Sequence, residues 1–148
     1  VAGAGAAVEV EVVAMPRRQI EEAIMRALAT FGLSSVRVPG LTGVWREDER
    51  GQRKLASIGV KARDWVTWHG VALNVENTLA TFDHTVPCGI DGVTMTTVAA
   101  ECAAQGLPVP SFEAVQLAVT QSMGDVFSLP VVSVTGELIE SALVEHTS

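Results

Sequence analysis

Between Lys54 and Cys88, polar side chains and glycines interrupt strand-like apolar sequence: Lys54, Gly59, His69, Gly70 and Asn74, then Pro87-Cys88-Gly89. A cysteine between Pro and Gly in a loop is open to reaction, whereas a core cysteine is not. As a nucleophile it needs a lowered pKa, which a nearby Lys or His supplies. Lys54 leads into an apolar strand, where desolvation would couple its ammonium to a thiolate. Each residue also has a plainer reading. Most free cysteines are small buried hydrophobes, and Lys54 also fits a solvated strand-end lysine. His69 and His84 are the alternative partners, in a Cys–His pair. Cys102 falls on the apolar side of a helix and is expected to be inert. The three His and two Cys lack metal-ligand spacing, so no metal site is expected. The chain has no Gly-x-x-x-x-Gly-Lys-Ser/Thr loop, no G-x-S-x-G elbow and no G-x-G-x-x-G.

The elements that must hold these residues follow from periodicity. Val8 to Val13 alternates apolar and acidic residues and predicts a strand, preceded by a frayed Ala/Gly lead-in. Pro16 suits the first turn of a helix. Ile20, Ala23, Ile24, Ala27, Leu28 and Phe31 form one helical stripe, with Glu21 and Glu22 placed for the helix dipole and Gly32 closing the helix. Val36 to Val38 predicts a short strand, and Gly43-Val44-Trp45 begins another. Glu47 to Gln52 predicts a charged hairpin loop with Gly51 as turn residue. Lys54 to Val60 and Trp65 to Val75 read as strands, with Gly70 as a bulge or a close backbone approach. Thr78 to Phe82 predicts a turn or short helix, and Pro87-Cys88-Gly89 a tight loop. Thr96 to Ala104 and Ser111 to Phe127 predict helices, the second capped by Ser111. Ser128 to Val134 reads as extended. The fold class is α/β in the mixed α+β sense: hairpin-connected strands with flanking helices.

The 148 residues suffice for one domain with a real core. With 48% hydrophobic and 18% charged residues, the chain is not a disordered one. Two cysteines exclude a disulfide-dense scaffold, and no apolar run approaches the roughly 18–20 residues of a membrane span. All ten basic residues lie between Arg17 and Arg63, so the first 63 residues carry +3 and the rest −10. That asymmetry fits either a face that steers an acidic partner or an ordinary surface pattern. A nucleic-acid partner is not expected: no basic run is interleaved with aromatics, and the chain has no Tyr.

Three blocks together resemble the octanoyl-[acyl-carrier-protein]:protein N-octanoyltransferases of lipoate biosynthesis. They are Lys54-Leu55-Ala56-Ser57-Ile58-Gly59-Val60, then Val66-Thr67-Trp68-His69-Gly70-Val71-Ala72-Leu73-Asn74-Val75, then Pro87-Cys88-Gly89-Ile90. Gly40-Leu41-Thr42-Gly43-Val44-Trp45 and the helix from Arg17 match in spacing. The resemblance runs over roughly residues 17–132; each block alone would be weak, but the combination is specific. It implies a biotin/lipoate ligase-type catalytic domain with a mixed, mostly antiparallel sheet flanked by helices. It implies that Cys88 takes the octanoyl group as a thioester and that Lys54 lowers the thiol's pKa and shuttles the proton. Ser57-Ile58-Gly59 and Gly70-Val71-Ala72 would line the acyl pocket. His69 and Asn74 would support the site, although a packed strand histidine and a backbone-tying asparagine fit equally well.

The resemblance implies no cofactor of the chain's own, because the acyl group arrives on the phosphopantetheine of acyl carrier protein. The implied partners are that carrier protein and lipoyl domains, those of 2-oxoacid dehydrogenases and the glycine cleavage H protein. No membrane association is expected, and a monomer is. The compartment would be cytoplasmic in a bacterium, or mitochondrial or plastid in a eukaryote with a targeting segment upstream of Val1. The chain has no counterpart of the family's Arg-Gly-Gly and Tyr-His-Gly-Pro-Gly-Gln-like segments, which build the other pocket wall. The expected organisation is an atypical segment 1–16, a C-terminal catalytic portion over 17–135 and a loose tail over 136–148. The alternative is an inactive or fragmentary member that keeps fold and docking without catalysis.

Overall fold

A helix from Arg17 to Ala29 (α1) buries the stripe Ile20, Ala23, Ile24, Ala27 and Leu28, as its three- and four-residue spacing dictates. The computed structural model describes residues 7–11, 17–63, 66–76 and 92–132. The helix ends where Gly32 takes a positive φ of 79°, a conformation that favours glycine. Glu21 and Glu22 lie beyond the first helical turn. Their partners are Arg37, Arg26 and the Gly43 N–H rather than the dipole alone.

Four strands form one antiparallel sheet. With β1 Ala7–Glu11, β2 Val44–Asp48, β3 Gly51–Arg63 and β4 Val66–Asn74, the spatial order is β1-β4-β3-β2. The charged hairpin closes as predicted: Asp48 pairs with Gly51, whose φ is 92°. The Val36 to Val38 strand contracts to a single bridge between Val36 and Trp45. Gly70 is not a bulge. It pairs with Gly59 in an unbroken β3–β4 register, and with Glu11 of β1. The irregularity lies in β3, where Val44 pairs with Ala56 and Trp45 with Lys54. Leu55 is therefore left without a partner on β2, and such a bulge re-aims the side chains beside it.

Two further helices, α2 Val98–Ala104 and α3 Phe112–Phe127, complete the described fold. Thr97 caps α2 by accepting from Ala100 N–H, and Ser111 caps α3 by accepting from Ala114 N–H. Ser128 ends α3 in the left-handed region, at φ 52°. Through residue 132 no strand follows. One buried cluster joins sheet and helices, including Ile24, Leu28, Leu33, Val44, Leu55, Leu73, Val98, Cys102 and Val115. Cys102 is a buried free thiol whose pKa burial pushes up, as expected of an inert cysteine. Pro16, the turn at 78–82, the 87–89 loop and the tail 136–148 lie outside the described residues.

Candidate active site

Lys54 is only 2% exposed. Burial of an ammonium is costly unless its surroundings compensate. Its Nζ sits 5.2 Å from the centroid of the Trp45 ring, its cross-strand partner, in cation–π geometry. The adjoining bulge at Leu55 explains how a strand otherwise committed to the core presents a lysine here. The plainer reading of a solvated strand-end lysine is therefore excluded.

The Lys54 main chain is held from its other side. Its N–H donates to Thr94 O at 2.8 Å, and its carbonyl accepts from Thr96 N–H at 2.9 Å. This bridge, centred on Met95, runs parallel, which makes the strand pairing mixed. Nearby, Ala99 N–H donates to Val75 O at 2.9 Å. Residues 76 and 92 flank the segment that contains Cys88. Both flanks are thereby fastened close to Lys54. Cys88 itself, and the side chain of His69, lie outside the description.

The two glycine-containing blocks face each other across β3 and β4: Ser57 pairs with Ala72, Ile58 with Val71, and Gly59 with Gly70. Ile58 and Val71 are buried in the core cluster. Ser57 and Ala72 are half-buried, on the alternate positions of the pleat, while Gly59 and Gly70 are exposed. Asn74 is buried at the end of β4.

Sequence reasoning missed two carboxylates that brace this region. Glu21 is buried on α1; it accepts from Gly43 N–H at 3.1 Å and from Arg37 Nε at 3.1 Å. Glu101 is 1% exposed on α2. Arg53 Nε donates to its Oε1 at 2.7 Å and Arg53 Nη2 to its Oε2 at 2.9 Å. Thr96 Oγ1 donates to Oε1 at 2.7 Å, and Arg50 Nη2 to Oε2 at 3.0 Å. Arg46 Nε lies 3.5 Å from Oε2. Burial opposes ionisation of Glu101, but the bonds from Arg53 and Thr96 and the charges of Arg53 and Arg50 outweigh it, lowering its pKa to about 2. Asp48 is likewise held well below the usual carboxylate range by bonds from Arg53 and Arg50. The signal for Glu101 was present: Val98, Glu101 and Cys102 form a helical stripe, and all three are buried.

These pairings take two of the ten basic residues out of any face that could steer an acidic partner. Arg46 and Arg53 are buried and neutralised by Asp48 and Glu101. Arg17, Arg18 and Arg37 do share a cleft of about 470 Å³ with Glu21 and residues 38–42. It holds none of the predicted site residues. Among the described residues no group of His, Cys, Asp and Glu could hold a metal ion, and no helix is long and apolar enough to cross a membrane.

Known proteins share this arrangement of sheet and helices. The model of the lipoyl protein ligase A/B catalytic domain matches residues 9–123. The chain belongs to that family. Its curated relatives include octanoyltransferases of Nostoc sp., 43% identical over 78% of this chain and 48% of theirs, and of Desulfovibrio desulfuricans, 42% identical over 73% of this chain and 43% of theirs. The chain thus spans less than half the length of these relatives. Among solved structures, a bipartite lipoate protein ligase from Thermoplasma acidophilum matches at a TM-score of 0.60 and 17% identity, covering 95% of this chain and 57% of that one. The apo biotin protein ligase of Aquifex aeolicus matches at 0.54 and 12% identity, covering 83% and 53%. The fold of this lipoyl ligase-family chain is therefore the biotin/lipoate ligase-type catalytic domain expected from the sequence.

Proposed function

We propose that this protein transfers an octanoyl group from acyl carrier protein to the lysine of a lipoyl domain. The observation that carries this reading is the buried Lys54, bridged to the segment that returns from Cys88. The octanoyltransferase relatives support the acyl group. Cys88 lies six residues before Thr94, so a fully extended chain would span at most about 20 Å between them.

In the first step the Cys88 thiolate attacks the donor thioester carbonyl, and a new carbon–sulfur bond forms. The carrier's phosphopantetheine thiolate leaves and takes a proton from the Lys54 ammonium. In the second step the target lysine's amine attacks the Cys88 thioester and forms the amide. The Cys88 thiolate leaves, and the amine's surplus proton passes to the neutral Lys54. Proton and charge return to their starting state, and the activated thioester requires no nucleotide. The exposed backbone at Gly59 and Gly70 gives an acyl chain close access to the sheet. Ser57 and Ala72 would floor its path on the same side, with Ile58 and Val71 as the apolar layer beneath.

A second reading is a non-catalytic member that retains fold and docking. It would keep the carrier-docking surface without acylation at Cys88. One experiment separates the two. The chain is incubated with octanoyl-carrier protein and weighed intact. An octanoyl increment that maps to Cys88 and vanishes in Cys88→Ser supports transfer. Lys54→Ala should slow its formation by about 10²-fold or more. No increment, with carrier binding retained, would establish the non-catalytic reading.

A further inference from the structure

We propose that Glu101 is a positioning residue for Lys54, acting through Thr96 and Arg53. This rests on the acyl-transfer reading for its purpose, but not for its geometry.

The carboxylate grips Lys54 from both sides. Arg53 precedes Lys54 in β3 and makes two hydrogen bonds to Glu101. Thr96 makes one through its hydroxyl, while its own N–H donates to the Lys54 carbonyl. The covalent neighbour and the hydrogen-bonded neighbour of Lys54 thus meet on one carboxylate. A shift of α2 along the sheet would break both links together. One group is consequently linked both to the strand that carries the ammonium over Trp45 and to the Thr94–Thr96 segment.

Stability alone is a weak account of this cluster. Burying a carboxylate among guanidinium groups gains little over apolar packing of the same volume, whereas such groups can fix registry. Around Glu101 stand Arg46 and Asp48 of β2, Arg50 of the turn, Arg53 of β3 and Cys102 of α2. Arg46 and Arg50 add charge to Glu101 without touching the Lys54 main chain. Thr96 and Arg53 give the cluster its links to the Lys54 main chain.

The chain contains two lysines, Lys54 and Lys61, so lysine labelled with ¹³C at Cε gives two side-chain signals. Loss of one in Lys54→Arg assigns them. The Trp45 ring should shift the Lys54 ε-methylene protons upfield. Thr96→Val removes the hydroxyl at constant shape, and Thr96→Ser restores it. Thr96→Val should lose at least half of that upfield shift, and Thr96→Ser should recover it. Glu101→Gln should behave as Thr96→Val; if it does not fold, the Thr96 pair decides. In the transfer assay, Thr96→Val should lower kcat about tenfold with KM for the carrier unchanged. A folded Thr96→Val protein with the Lys54 shift intact overturns the proposal. If the wild-type chain makes no octanoyl adduct but Thr96→Val loses the shift, the positioning role stands and the acyl-transfer reading falls. If the wild type is acylated and Thr96→Val keeps both shift and rate, the reverse holds.

Discussion

Gly43→Ala should destabilise the chain by about 3–5 kcal/mol and remove acyl transfer with it. Gly43 has a φ of 120°, where a side chain is strained whatever the space around it. Space is also lacking. A Cβ here would overlap the carbonyl oxygen of Ala56 and stand 2.8 Å from Lys54 Cε. The oxygen belongs to β3 just past the bulge and has little freedom to withdraw. The lysine could move, but only by leaving the face of Trp45. Gly40→Ala is the matched comparison, since Gly40 has a φ of 80° with nothing within 4 Å of an added Cβ. It should show backbone strain alone, about 1–2 kcal/mol. Denaturant unfolding of both variants checks the difference. Equal losses would mean that packing at Gly43 contributes nothing.

The second large effect is expected for Glu101→Ala. Removing the carboxylate leaves Arg53 and Arg46 buried without their main counter-charge, which costs about 3–5 kcal/mol. For a chain of this length that is on the order of a 10 °C fall in Tm. The loss depends on pH in a defined sense. The folded pKa of about 2 lies below the ordinary 4.5. The carboxylate's contribution is therefore complete above about 4.5 and fades as pH falls through about 2. Wild-type and variant stabilities should converge over that interval. Thermal unfolding at a series of pH values measures it, and a constant gap down to pH 2 would refute the ionised cluster. Asp48 titrates in the same direction, but the variant retains it, so its contribution cancels from the gap.

The helices were legible because their signals are local. Ser111 before an apolar stripe, and Gly32 after one, state where α3 begins and α1 ends without reference to anything distant. The Gly51 hairpin was legible for the same reason. The bulge was not, because the run Lys54-Leu55-Ala56-Ser57 alternates as well with a bulge as without one. Only the pairing to Val44 and Trp45 reveals it. Gly70 left two readings, a bulge or a close backbone approach, and the pairing with Gly59 that excludes the bulge is set by register. Within the candidate site, Lys54, Gly59 and Gly70 stood out by type amid apolar sequence, whereas the blocks Ser57-Ile58-Gly59 and Gly70-Val71-Ala72 came from the resemblance. Glu101 was passed over as one more acid in an acidic half. Its arginine partners lie far away in sequence, and charge counting cannot distinguish a buried carboxylate from a solvated one. The same holds for Arg46 and Arg53, which charge counting placed with the other basic residues and which are buried against that carboxylate.

The strand order has a kinetic meaning. β2, β3 and β4 follow one another through the chain and pair as neighbours, so they can form as a local meander. The outer strand β1 must wait for β4, and the Thr94–Thr96 bridge must close onto β3 from well beyond it. Loop-closure entropy favours the nearer pairings first. The surroundings of Lys54 are therefore assembled from an early hairpin, which brings Trp45, and a late-closing bridge at Thr94–Thr96. A chain still emerging from the ribosome would pair β2 with β3 before the Thr94–Thr96 bridge could close.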